Sequence, residues 1–214
     1  MKSKMAVGHG NGKDAAVRGV LFDLDGTLVD TMPLHFQAYS DVLGELGLSL
    51  DFATFMNVSG GPARESIPRM LSGRSCPVPV EEIHRRKLER AEKIFGETPP
   101  ATLPCAMLLP VLAEAYPVGL VSSGSRKSID ATLNALGWAS LFRVTISGND
   151  VEKGKPDPEG YLKGAAALGV PPENCLVFED MDDGVAAATA AGMQVFDTRR
   201  ALPSWRSVGE RARA

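Results

Sequence analysis

The sequence predicts an α/β protein, with a Rossmann-like three-layer core, a parallel sheet and an α-helical insert after the first strand. Apolar segments of strand length alternate with helical segments over residues 104–196. Residues 32–100 show helical periodicity instead. Polar and charged residues stand directly after several of the strand segments. Strands that alternate with helices form a parallel sheet that helices cover on both faces.

The elements can be justified in chain order. Each predicted strand is a short apolar run, and each predicted helix has apolar residues at three- and four-residue steps, often ending at a glycine. The predicted strands are 20–22, 118–121, 144–146, 176–178 and 194–196. The predicted helices are 36–46, 67–71, 83–95, 107–115, 129–136, 161–168 and 184–191, with a loop at 59–63 and a proline-containing linker at 98–100. The residues predicted on their apolar faces include Leu88 in 83–95, Met107, Leu108 and Val111 in 107–115, and Tyr161 in 161–168.

This order of elements predicts two domains. Residues 1–31 and 101–214 form the α/β core, and residues 32–100 form a helical domain inserted into it. Residues 1–16 are polar and rich in glycine, which predicts a flexible lead-in to the core.

Composition limits the partners of the protein. The net charge is −3 and charges of both signs are scattered, so we expect neither a nucleic-acid partner nor an anionic membrane surface. We expect no transmembrane helix and no secretory signal. The cysteines Cys76, Cys105 and Cys175 are odd in number and far apart, which favours free thiols in a reducing cytoplasm. Nothing in the sequence demands more than a monomer.

Two carboxylates follow the first predicted strand. Asp23 and Asp25 stand at its end, and Gly26 indicates that the backbone turns there. Carboxylates at the end of a buried strand are costly unless they hold a metal or take part in chemistry. An ordinary turn is the alternative, because Asp and Gly are common turn residues.

Three further strand ends carry polar groups. Hydroxyls at 122–125 follow the second strand and suit a phosphate, Lys155 follows the third, and Glu179 and Asp180 follow the fourth. Each group alone has a structural explanation, such as a Ser-rich turn or an acidic helix start. Because the carboxyl ends of parallel strands share one rim, the groups together predict a site for phosphoryl chemistry.

With these four motifs in this order, the chain resembles the haloacid dehalogenase-like hydrolase superfamily from about residue 17 to 198. Within it, the chain is similar to β-phosphoglucomutase and small sugar-phosphate phosphatases. The resemblance implies a Mg²⁺-dependent phosphatase that hydrolyses small phosphorylated metabolites, such as fructose 1-phosphate, through an aspartyl-phosphate. It also implies that the helical insert is a cap domain.

The resemblance implies separate roles for the carboxylates. Asp23 would be the nucleophile, and Asp25 the general acid and base. The implied Mg²⁺ ligands are Asp23, Asp180 and the backbone carbonyl of Asp25, and Glu179 would act through water or as a partner of the ligands. True haloacid dehalogenases and phosphonate-cleaving enzymes lack a carboxylate at the position of Asp25, so this residue favours a phosphate ester substrate.

The resemblance also implies the residues that bind phosphate. Ser122 and Lys155 would hold the transferring phosphoryl oxygens, and Ser123 replaces Ser122 if the register of that motif shifts by one.

Three cap residues are candidates for substrate contact. His35 and Arg64 match family positions that contact substrate or gate acid–base function, and Lys87 is a looser match. The alternatives are a half-exposed helix residue for His35 and a solvated basic face for Lys87, which follows two arginines.

Two other functions stay open at this point. A phosphosugar mutase of the β-phosphoglucomutase type is one alternative, although Ser125 occupies the place where that enzyme has a lysine. A non-catalytic protein that keeps the fold is the other, although such proteins usually lose the nucleophile or a metal ligand.

Overall fold

The computed structural model describes residues 16–59 and 63–201 of the chain. The strands are β1 (Gly19–Phe22), β2 (Val29–Asp30), β3 (Ala101–Thr102), β4 (Val118–Val121), β5 (Val144–Ile146), β6 (Cys175–Glu179) and β7 (Gln194–Asp197). The helices are α1 (Met32–Glu45), α2 (Phe52–Val58), α3 (Ala63–Leu71), α4 (Val80–Glu97), α5 (Leu108–Ala115), α6 (Arg126–Ala135), α7 (Glu159–Leu168), α8 (Asp182–Ala190) and α9 (Thr198–Ala201).

The central sheet is parallel and has the strand order β5-β4-β1-β6-β7. Val20 of β1 is in register with Val118 of β4 and with Leu176 of β6. The chain therefore has the predicted α/β fold, and β1 lies at the centre of the sheet with a strand on each side. All five strands end at the same edge, which places the predicted site residues together.

The sheet separates two apolar layers. Phe22 packs in a cluster with Leu109 of α5 and Ile129 of α6. Leu21 packs in a second cluster with Tyr161 of α7 and Ala187 of α8. Consecutive residues of a strand point to opposite faces, so a strand buried on both sides is apolar throughout. This arrangement confirms the predicted three-layer core.

Helices α1–α4 form apolar clusters of their own. The chain passes into and out of this helical region through β2 and β3, which pair antiparallel, with Val29 opposite Thr102 and Asp30 opposite Ala101. The packing supports a separate cap, whose bounds at 32–100 stay a prediction.

The structure corrects several details of the predicted elements. Helix α2 was not predicted; it is short, and its N-cap residue is Asp51, whose carboxylate accepts the Thr54 N–H. Strands β2 and β3 have two residues each, too few for a periodic signal. Leu88, predicted on the buried face of α4, is 45% exposed, because the residues that are buried there recur at four-residue steps.

The predicted apolar face of α5 is also wrong. Met107, Leu108 and Val111 are exposed, whereas Leu109 is fully buried against the sheet.

No helix within residues 16–59 and 63–201 is both long and apolar enough to span a bilayer. The predicted lead-in falls outside the described part of the chain, apart from its last residue.

Candidate active site

The first motif forms a tight loop at the carboxyl end of β1. Asp23 is buried, and the Asp23 N–H donates to the carbonyl of Phe178 on β6. Gly26 has φ of +91°, and a Cβ atom there would lie 2.2 Å from Oδ2 of Asp180. Thr27 Oγ1 donates to Oδ1 of the same carboxylate at 3.1 Å. Glycine is therefore required at position 26, both for the backbone turn and for space beside Asp180.

Lys155 joins the first and last motifs. Its ammonium group donates to Asp23 Oδ1 at 2.6 Å, to Glu179 Oε1 at 2.7 Å and to the carbonyl of Val121 at 3.1 Å. Burial by itself would lower the pKa of Lys155, but the two carboxylates outweigh it and hold the pKa well above its usual value. Burial raises the pKa of Asp23, and the Lys155 ammonium opposes that rise.

Glu179 accepts four hydrogen bonds. Oε1 accepts from Lys155 and, at 2.9 Å, from the Tyr161 hydroxyl; Oε2 accepts from the N–H groups of Asp180 at 2.8 Å and Met181 at 3.0 Å. A carboxylate has about four lone-pair sites, so Glu179 is saturated. This pattern favours a residue that orients Lys155 and the Asp180 backbone over a direct metal ligand.

Asp25 lies beside the nucleophile candidate but has different partners. Its Oδ1 accepts from the Thr31 hydroxyl at 2.7 Å, and its Oδ2 accepts from the Ser122 hydroxyl at 3.2 Å. Ser122 is buried, and its Oγ also accepts the N–H of Gly124 at 3.0 Å. The exposed Ser123 lines an adjoining cavity of about 210 Å³ together with Ser122 and Lys155.

The acidic groups are suited to a hard divalent cation. Carboxylate oxygens of Asp23, Glu179 and Asp180 lie within 4.8 Å of one another, and Asp23 and Asp180 are the candidates for direct ligands. Mg²⁺ prefers oxygen ligands and takes few carboxylates. Asp180 has its carboxylate against Gly26, which leaves it next to the loop that carries Asp23 and Asp25. The residues present therefore fit Mg²⁺.

His35 and Lys87 meet in the helical region. Lys87 Nζ lies 3.2 Å from His35 Nδ1 and 5.2 Å from the centre of the Tyr39 ring. Lys87 is 8% exposed, so the solvated alternative is wrong. Burial lowers the pKa of Lys87 to about 8, and burial and the Lys87 charge lower the pKa of His35 to about 4. His35 also lines a small cavity of about 40 Å³ with Asp25.

Arg64 is placed differently. Its side chain is 81% exposed, and its ion pair within the described residues is with its neighbour Glu65 at 3.8 Å. The structure thus brings His35 and Lys87 to the side of Asp25, and it does not bring Arg64 there. Part of the predicted loop at 59–63 lies outside the described residues.

Two functional candidates were missed from the sequence. Thr31 contacts Asp25, and Tyr161 contacts Glu179. Thr31 is six residues from its partner, so the contact depends on the turn at Gly26. Tyr161 was assigned only to the apolar face of α7, and no sequence signal distinguishes its hydroxyl from that of any other core tyrosine.

Comparison with known proteins adds four findings. Residues 20–197 match the family described as haloacid dehalogenase-like hydrolase. The chain is 32% identical to the fructose-1-phosphate phosphatase YqaB of Escherichia coli over 85% of this chain and 96% of that protein. It is 32% identical to a phosphorylated carbohydrates phosphatase of Thermotoga maritima over 83% of each. The crystal structure of CbbY from Rhodobacter sphaeroides with phosphate superposes with a TM-score of 0.70, at 29% identity over 84% of each chain.

Proposed function

The chain belongs to the haloacid dehalogenase-like hydrolases, and on that basis we propose that it is a Mg²⁺-dependent phosphatase of small phosphorylated carbohydrates. The observation that carries the proposal is the different environment of the two carboxylates in the first motif. Asp23 is paired with a buried ammonium group, whereas Asp25 accepts from two hydroxyls. The Lys155 ammonium pairs with the charged form of Asp23, which is the form that attacks phosphorus. A hydroxyl can both donate and accept, so Thr31 and Ser122 can hold Asp25 while it takes up and releases a proton.

In the first step, an Asp23 oxygen attacks the phosphorus of the ester. The phosphorus–oxygen bond to the alcohol breaks as Asp25 donates its proton to the leaving oxygen, which gives an aspartyl-phosphate and a free alcohol. Lys155 and Ser122 hold the phosphoryl oxygens, on which the charge is spread in the transition state.

In the second step, Asp25 removes a proton from a water molecule that attacks the aspartyl-phosphate. The bond between phosphorus and Asp23 breaks, which releases inorganic phosphate and restores the carboxylate. Asp23, Asp180 and the carbonyl of Asp25 would hold Mg²⁺, which supplies positive charge to the phosphoryl group. Glu179 supports this set through its hydrogen bonds to Lys155 and to the Asp180 N–H.

The relatives support a sugar phosphate as substrate. Fructose 1-phosphate is the first candidate, since the name of the Escherichia coli relative states it for that protein. His35 and Lys87 would contact the leaving group, because His35 shares a cavity with the proton carrier Asp25. A role for Arg64 requires its exposed side chain to approach the core on substrate binding.

The residues after the second motif favour a phosphatase over a mutase. Ser125 caps α6. Arg126 donates to the carbonyl of Thr145 and forms an ion pair with Asp150. Lys127 lies on the exposed face of α6, 3.5 Å from Glu92 on α4. Neither Arg126 nor Lys127 contacts Asp25 or Ser122. The place where β-phosphoglucomutase has a lysine, Ser125, therefore offers no positive charge to a second phosphate.

The decisive experiment measures inorganic phosphate and isomerised sugar together. The wild type and Asp23→Asn are incubated with fructose 1-phosphate, glucose 6-phosphate and β-glucose 1-phosphate, with Mg²⁺ or with a chelator. We expect phosphate release that needs both Mg²⁺ and Asp23. Conversion of β-glucose 1-phosphate to glucose 6-phosphate with a bisphosphate primer would establish the mutase instead. Turnover of no ester would leave the non-catalytic alternative.

The proposal extends to the oligomeric state and the cellular location of the protein. We propose a monomer that acts in the cytoplasm without nucleic-acid or membrane partners, supported by the small net charge. Sedimentation of the purified protein across a concentration series tests the monomer.

A further inference from the structure

The segment that carries Lys155 lies between a cavity and the solvent. Residues 152–155 lie in the connection between β5 and α7, and all four line the cavity of about 210 Å³ together with Val121 and Ile146. Glu152, Lys153 and Gly154 are exposed on the other side. A segment between solvent and a cavity gains little from burial, so its position depends on hydrogen bonds.

Glu159, in the first turn of α7, supplies those hydrogen bonds. Its carboxylate accepts the N–H of Glu152 at 3.1 Å and the N–H of Lys153 at 2.9 Å. Lys163 donates to the same carboxylate at 2.6 Å and to the carbonyl of Asp150 at 2.7 Å. Side chains of α7 therefore hold the backbone at three positions, Asp150, Glu152 and Lys153, all on the N-terminal side of Lys155.

We propose that Glu159 is a positioning residue that holds the 152–155 segment so that the Lys155 ammonium stays within reach of the phosphoryl group. The proposal rests on the role of Lys155 in the proposed function. The ammonium group contacts Asp23, Glu179 and the Val121 carbonyl at 2.6–3.1 Å. Because those contacts are short, a small displacement of the Lys155 ammonium group would break them. A displacement near 1 Å can cost about 100-fold in rate.

Glu82 offers a matched control. It also lies in the first turn of a helix, α4, and pairs with Arg85 and Arg86. The side chains of Glu82 and Glu159 are 27% and 23% exposed. Within the described residues the Glu82 carboxylate accepts from Arg85 and Arg86 and from no loop backbone, so Glu82→Gln removes a comparable charged pair without touching the 152–155 segment.

The test compares wild type, Glu159→Ala, Glu159→Gln, Glu159→Asp and Glu82→Gln. Hydrogen exchange follows the amides of Glu152 and Lys153, calorimetry follows the affinity for inorganic phosphate, and steady-state kinetics gives kcat and KM. We expect Glu159→Ala and Glu159→Gln to lose amide protection, to bind phosphate at least about 10-fold more weakly and to lose roughly 10- to 100-fold in kcat. Glu159→Asp should restore part of each loss, and Glu82→Gln should stay within about twofold of wild type.

Unchanged phosphate affinity and kcat in folded Glu159→Ala would overturn the inference, as would equal losses in Glu82→Gln. If Glu159→Ala does not fold, Glu159→Gln is decisive by the same criteria. A wild type that binds phosphate but hydrolyses no ester would refute the proposed function, and the exchange and phosphate measurements would still decide the role of Glu159.

Discussion

Replacing Gly184 by alanine should have two opposite effects on stability, one through the helix propensity of α8 and one through a buried contact with Glu179. Gly184 is in the first turn of α8, where alanine should favour the helix by up to about 1 kcal/mol. A Cβ atom at this position, however, would lie 1.7 Å from Oε1 of Glu179. Since carbon–oxygen contacts are about 3.3 Å or longer, the two atoms must separate by roughly 1.6 Å.

Such a shift breaks the hydrogen bonds that Glu179 makes. Its contacts with Lys155 and Tyr161, at 2.7 and 2.9 Å, cannot remain hydrogen bonds after a displacement of that size. Separating a buried ion pair costs about 3–5 kcal/mol. Because the contact outweighs the helix preference, we expect Gly184→Ala to lower the free energy of unfolding by at least about 2 kcal/mol.

The assay is urea unfolding of Gly184→Ala, with Gly44→Ala as the control. Gly44 also lies near a helix end, in α1, and apart from its chain neighbours and the backbone of its own helix no described atom lies within 4 Å of an added Cβ. The control should be unchanged or slightly more stable, and Gly184→Ala should also lose phosphatase activity. Equal stabilisation of both variants would refute the reasoning, because the close approach of Gly184 and Glu179 would then have no energetic effect.

Three further predictions concern His35, Lys87 and Tyr161. Burial lowers the pKa of His35 to about 4, so the unfolded chain binds more protons between pH 4 and the ordinary value of 6.5. Stability should therefore fall as the pH drops through this window, by up to about 1.4 kcal/mol per pH unit, and His35→Asn should remove that part of the slope in urea unfolding. Burial lowers the pKa of Lys87 to about 8, so its charge destabilises the fold at pH 7 and the cost disappears as the pH rises from 8 to 10.5. Lys87→Met should be about 2 kcal/mol more stable than wild type at pH 7, with a smaller gain at pH 9.5, by the same assay. Tyr161→Phe should lose about 1.5–3 kcal/mol at pH 7, because its hydroxyl donates to a buried carboxylate.

Each of these has a contradicting outcome. A pH slope in His35→Asn equal to that of wild type would show that this imidazole does not titrate with folding. A Lys87→Met variant that is less stable at pH 7 would mean that the contacts with His35 and Tyr39 outweigh the cost of burial. Unchanged stability of Tyr161→Phe would remove the hydroxyl from the support of Glu179.

The fold was predictable because its signals are local. The inner strands β1, β4 and β6 are short apolar runs that are almost wholly buried, the edge strands β5 and β7 are half-buried, and the predicted site residues follow the strand ends. Asp23, Asp25, Lys155 and Asp180 could therefore be assigned to one rim before any contact was known. Their partners Thr31 and Tyr161 could not, because these contacts depend on the path of a loop and on the packing of α7.

Lys87 shows where sequence reasoning used the wrong signal. It follows Arg85 and Arg86, so a basic surface was a reasonable alternative. Ile83, Lys87, Ala91 and Phe95 nevertheless recur at four-residue steps, and all four are buried. The periodicity of the helix decides which residue faces inward, and chain neighbours of like charge do not.

The pairing of β2 with β3 has a consequence for the history of the protein. Because Asp30 lies opposite Ala101, the two ends of the helical region are neighbours in an antiparallel ladder, with Cα atoms about 4.5–5.5 Å apart. A segment whose ends meet so closely can be exchanged, lengthened or replaced by a short turn without changing the register of the parallel sheet. One contiguous stretch of gene therefore encodes the whole helical region, and a change confined to that stretch leaves the four strand ends of the proposed site in place.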